Sequence, residues 1–84
     1  MTKIECQKIT VEAGGKARTE GKVPEGYKLL GVEVGNDKCS LLKFGRMMEQ
    51  KDKKWVETSG VWVQVENMTN DKDVDPGVIL VCEK

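Results

Sequence analysis

The chain contains no histidine. It therefore lacks the side chain most used for proton transfer near neutral pH, which is also the commonest zinc ligand beside cysteine. Net charge is missing too. Fourteen Lys and Arg balance 14 Asp and Glu, so there is no long-range field to draw the protein toward nucleic acid or an anionic membrane. No apolar run reaches the length of a signal peptide or the roughly 18 residues of a membrane span. The three cysteines, Cys6, Cys39 and Cys82, are far apart and form no C-x-x-C pair. That spacing argues against a disulfide framework and for reduced thiols in a core. Gly14-Gly15 lacks both the G-x-G-x-x-G spacing and a following Lys-Ser/Thr pair, so it makes no phosphate cradle. These absences argue against an ordinary hydrolase or zinc enzyme, and neither a cofactor, a resident metal nor a membrane partner is expected. Production in the cytoplasm of a host is expected, with exit only by lysis or inside a larger particle.

What is present favours strands. There are 11 Val among the 84 residues, and β-branched side chains suit a pleated sheet better than a helix. Val61, Val63 and Val65 alternate with Trp62, Gln64 and Glu66, the clearest period-two pattern in the chain. Val78-Ile79-Leu80-Val81-Cys82 is apolar on both faces and reads as a central strand. Tyr27 to Val34 is a third strand, with Leu30, Val32 and Val34 on one face. Val23-Pro24-Glu25-Gly26 before it suits a type I turn. Ile4 to Val11 changes phase near Gln7-Lys8, as a bulge or bend would cause. Ala13 to Lys22 is polar and glycine-rich, suiting a long loop or weak edge strand. Cys39 to Met48 is apolar in both phases, which predicts a strand covered on both sides or bent at Gly45, with a short helix as the lesser alternative. Gln50 to Lys54 is a solvated turn. About six strands with Gly, Pro, Asn and Asp turns predict one all-β domain over 1–84, a small antiparallel β-sandwich or barrel.

Asp71, Asp73 and Asp75 alternate in a loop and would offer hard oxygen ligands to calcium. Counted from Asp71, however, the glycine falls seventh and Cys82 occupies the place of the bidentate Glu, so a solvated connection is expected. Asn67-Met68-Thr69 matches a glycosylation sequon by chance, there being no secretory signal. Lys51, Lys53 and Lys54 beside Trp55 would hold phosphates and stack a base. With one aromatic and a neutral total, a solubilising hairpin tip is the stronger reading and nucleic acid the weaker. Trp62 stands opposite the valine face. Either it is exposed and anchors a partner together with Gln64 and Glu66, or the Gly14–Lys22 stretch folds over it. Trp55 and Arg46 are secondary contact candidates.

The segments ITVEAGGKA (9–17), VPEGYKLLGVEV (23–34), GVWVQVENMTND (60–71) and VILVCEK (78–84) resemble, in layout, small β-sandwich modules of bacteriophage virion proteins, of the tail-fibre, head-fibre and capsid-decoration kinds. The resemblance implies a noncatalytic structural or binding role in a virion, contact with a capsid, tail or host protein or with glycan, and a homo-oligomer, often a trimer. FGRMMEQKDKKWVETSG (44–60) is longer and more charged than the corresponding hairpin of such modules, and no repeat-rich stalk precedes the domain. Both departures favour a free-standing accessory protein over a fibre. A different class remains open: a phage or mobile-element regulator that inhibits a host protein or binds nucleic acid through a small barrel.

Overall fold

Val61, Val63 and Val65 are buried, and across from them so are Val78, Leu80 and Cys82. In the computed structural model, which describes residues Met1–Lys84, these two alternating sets come from the central strands of two facing sheets. Six strands occur in the order β1 (Thr2–Glu5), β2 (Lys16–Lys22), β3 (Lys28–Val34), β4 (Cys39–Lys51), β5 (Lys54–Asn67) and β6 (Val78–Glu83). They pair antiparallel in the spatial orders β1-β6-β3 and β2-β5-β4. The protein is a small all-β sandwich with a shared core of Cys6, Val11, Val23 and the six residues above. Each Val or Leu taken out of water contributes about 1.5–3 kcal/mol.

The phase change after Ile4 is a corner between sheets. The Cys6 amide donates to the Val78 carbonyl at 3.0 Å, and the next amide, of Gln7, donates to the Glu20 carbonyl at 2.9 Å. The chain thus leaves the first sheet and joins the second within one residue. Val11 makes only an isolated bridge to Val74. The polar Ala13–Lys22 stretch supplies β2, an edge strand whose inner positions are Ala17, the buried Thr19 and Gly21. Gly21 is required by close approach: a Cβ there would stand 2.8 Å from Cys6 Sγ and 3.0 Å from Leu80 Cδ1.

Two bulges move side chains off the faces that simple alternation assigns them. In β3 the register steps from Leu29 opposite Cys82 to Gly31 opposite Val81. Leu29 therefore packs on the core, while Leu30 is exposed. In β4 the step from Leu41 opposite Val65 to Lys43 opposite Gln64 leaves Leu42 unpaired and exposed, which explains why this strand is apolar in both phases. No helix forms there. The turn before β3 also starts one residue later than expected. The Tyr27 amide donates to the Pro24 carbonyl at 3.0 Å and Gly26 has φ +81°, the sign a type II turn needs at its third position.

β4 and β5 form one long hairpin that bends partway. From Arg46 opposite Val61, the pairing resumes at Met48 opposite Glu57, so Thr58, Ser59 and Gly60 all oppose Met47. The bend is tied by Thr58, whose hydroxyl donates to the Met47 carbonyl at 2.9 Å, and by Arg46, whose Nε and Nη2 donate to the Thr58 carbonyl at 3.1 and 2.7 Å. Beyond it, Met48–Lys51 and Lys54–Glu57 pair only with each other around a two-residue loop. Asp52 and Lys53 have φ of 48° and 66°, the positive pair of a type I′ turn, which favours glycine second. Lys53→Gly is expected to raise stability by about 0.5–1 kcal/mol by relieving the left-handed lysine. An unchanged or lower thermal midpoint would contradict this.

Candidate binding arm and the surfaces around it

The outer half of the hairpin is an arm with little beneath it. The molecule extends 47 Å along its long axis and only 16 Å along its shortest, with a radius of gyration of 13.9 Å, against roughly 12 Å for a compact chain of this length. Directly opposed residues share a face. Met48, Glu57, Gln50 and Trp55 therefore line one face of the arm, and Glu49, Val56, Lys51 and Lys54 the other. Trp55 is 66% exposed and Met48 49%, and Val56 is exposed as well. An indole and a thioether held on a stiff two-stranded ribbon offer large apolar contact area at little conformational cost. Lys51, Lys53 and Lys54 crown the tip.

The five residues singled out as contact candidates fall in three places. Trp62, Gln64 and Glu66 share the outward face of the β2-β5-β4 sheet, as the alternation predicts. Trp62 is only half-exposed, and what covers it within the chain is not a folded-over loop. Its ring lies across Gly45, where a Cβ would stand 2.9 Å from Cζ2. The Arg18 guanidinium of β2 sits 5.7 Å from the ring centroid, a cation–π distance. Of the Gly14–Lys22 stretch, Lys16–Lys22 flanks the ring as the paired strand β2 instead of closing over it. Gly45 is thus the seat of the indole. Trp55 stands on the arm, apart from this face. Arg46 points to the inner side, where its guanidinium holds the bend and borders an open depression lined by Tyr27, Leu29, Glu57 and Glu83.

The other constellations have structural partners. Asp73 Oδ1 accepts from the Ala13 amide at 3.2 Å, and Asp75 Oδ1 accepts from the Gly77 amide at 2.9 Å. No three acidic or thiol side chains converge as metal ligands. Asn67 is fully buried with both amide protons donated, to the Val11 and Lys72 carbonyls at 3.0 and 2.9 Å, so in the folded chain its nitrogen is no glycan acceptor. All three thiols are free and buried. Burial pushes the Cys6 thiol up, and burial followed by the negative charge of Asp75 does the same to Cys39. A thiol held protonated in this way is a poor nucleophile.

Sequence reasoning passed over Met48 and Val56 as contact residues. The signal available was their position, Val56 next to Trp55 and Met48 three residues before Lys51, beside the Trp and Lys cluster at a hairpin tip. The chain matches no protein-family model, and comparison with curated proteins and with solved structures finds no similar protein.

Proposed function

We propose that this chain is a noncatalytic binding module, a bacteriophage virion accessory protein that docks on a capsid, tail or host protein through its hairpin arm. The observation that carries the binding half of this reading is the arm itself, which presents Trp55, Met48 and Val56 to solvent beyond the body of the sandwich. Exposed aromatic and Met side chains grouped on a rigid element are the usual anchors of a protein interface. The virion half is supported by the layout of the segments at 9–17, 23–34, 60–71 and 78–84. Absence of histidine and burial of every thiol are in keeping with a protein that works without catalysis.

The test is co-sedimentation of the purified chain with particles of the phage whose genome carries the sequence. Saturable binding with a fixed number of copies per particle supports the proposal. Failure to sediment with particles at micromolar chain, together with absence of the chain from virions purified from infected cells, overturns it. A second reading draws on Lys51, Lys53 and Lys54 around Trp55: a regulator that holds single-stranded nucleic acid at the arm tip. That reading requires binding to an oligonucleotide that weakens steeply with salt, whereas apolar docking on a capsid or tail protein does not.

A further inference from the structure

β4 is the outermost strand of its sheet, and all its strand pairing is with β5. Lys51 and Lys54 flank the two-residue loop, where such hairpins place a hydrogen-bonded pair. The Met47 carbonyl also points at β5, accepting from the Thr58 hydroxyl. Backbone groups alternate in direction along an antiparallel strand, so Phe44, Arg46, Met48 and Gln50 direct theirs to the open edge. The extra residues of the bend belong to β5, so from Lys43 to Lys51 this edge runs without interruption. Phe44 (40% exposed) and Met48 (49%) border it on the inner side. Lys43 and Glu49, both exposed, stand on the other side. Neither enters the ion pairs within the chain, which are Lys3–Glu33 and Arg18–Glu20.

We propose that this edge pairs antiparallel with the same edge of a second copy, about a two-fold axis at Arg46. In that register Phe44 lies opposite the partner's Met48, and Lys43 opposite the partner's Glu49, each contact occurring twice. Opposed lysine and glutamate attract, and an aromatic ring beside a thioether packs well. The only like-charged meeting, Arg46 with the partner's Arg46, is relieved because each guanidinium is drawn back over β5 by its two bonds to the Thr58 carbonyl. Shifting the axis to Gly45 sets Lys43 against the partner's Met47 and loses the ion pairs, and shifting it to Met47 sets Lys43 against the partner's Lys51. Arg46 is also where the sandwich ends and the arm begins. The register therefore lays each arm beside the partner's sandwich and joins two three-stranded sheets into one of six strands. A row of open backbone groups becomes paired. This self-association stands whether or not the particle-docking reading does.

Sedimentation equilibrium of the purified full chain over a hundredfold concentration range, at low and high salt, provides the test. The expected species is a dimer that weakens as salt rises. Glu49→Lys alone and Lys43→Glu alone turn both attractive contacts repulsive, and each is expected to raise the dimer dissociation constant about tenfold or more. An equimolar mixture of the two variants brings opposite charges together at both contacts and is expected to form a heterodimer as tight as the original. Because both side chains are exposed, thermal midpoints should stay within a few degrees when measured at monomeric concentrations. A wild-type monomer at hundreds of micromolar, a trimer, a dimer indifferent to either reversal, or a mixture that fails to re-associate would each overturn the proposal.

Discussion

Replacing Asn67 is expected to destabilise the fold by about 3–4 kcal/mol as Asn67→Ala, and by more as Asn67→Asp. Four hydrogen bonds meet on this one side chain. Nδ2 donates to the Val11 and Lys72 carbonyls, and Oδ1 accepts from the Thr69 amide and hydroxyl at 2.9 and 2.7 Å. The residue is fully buried, so water cannot replace what is lost. At about 1 kcal/mol net for each bond, and more where a polar group is stranded, the sum is a large share of the roughly 4–13 kcal/mol available to a domain of this size. The aspartate keeps the shape but removes both donors and turns an anion toward two carbonyl oxygens. These bonds gather the end of β5, the segment before β2 and the connection to β6 at one point. Asn67→Ala should therefore lower the urea midpoint with little change in slope. A loss below 1 kcal/mol would mean that the three segments are held by something else.

Trp55→Ala is expected to weaken particle binding by about 2 kcal/mol or more, roughly 30-fold in dissociation constant, while moving folding stability by less than about 0.5 kcal/mol. The asymmetry follows from position. Trp55 is mostly exposed in the free chain and packs on no core residue, so truncation costs the fold little. In a complex the same ring would be the largest apolar surface the arm has to bury. Trp62→Ala should do the reverse. Its ring already rests on Gly45 beneath Arg18, and losing it uncovers the sheet without removing a free anchor.

The β-sandwich was legible because its most buried positions follow plain alternation. Val61, Val63 and Val65 each fall at the period-two spacing that a half-buried strand requires, and the apolar run at Val78–Cys82 is central as expected. Leu30 and Leu42 were not legible. Each sits in a bulge fixed by what the neighbouring strand presents, and a bulge reverses the faces of everything beyond it. β2 was legible only as one of two alternatives, a weak edge strand or a long loop, for a related reason: an edge strand needs only one inward face, and Ala17, Thr19 and Gly21 supply it without a hydrophobic run. Asn67 was visible as a sequon-like Asn-x-Thr, yet its role depends on Val11 and Lys72, of which only the second is nearby in sequence. The contact candidates divided in the same way. Trp55 could be placed at a hairpin tip from composition alone. That the tip stands clear of the sandwich depends on where the other sheet stops, and Trp62 is half covered because a glycine lies opposite it on β4.

The most direct test of the arm as the docking element is to shorten the hairpin, joining Met47 to Thr58 through a two-residue Asn-Gly turn, and to titrate particles with the shortened and full chains. The parts of β4 and β5 that lie on the sandwich, with Val61, Val63, Val65 and Asn67, are kept by this change. The expected result is a shortened chain that melts cooperatively and keeps its β-sheet spectrum but no longer binds at concentrations that saturate the full chain. Binding of the folded, shortened chain with undiminished affinity would contradict the account and move the contact surface to the sandwich.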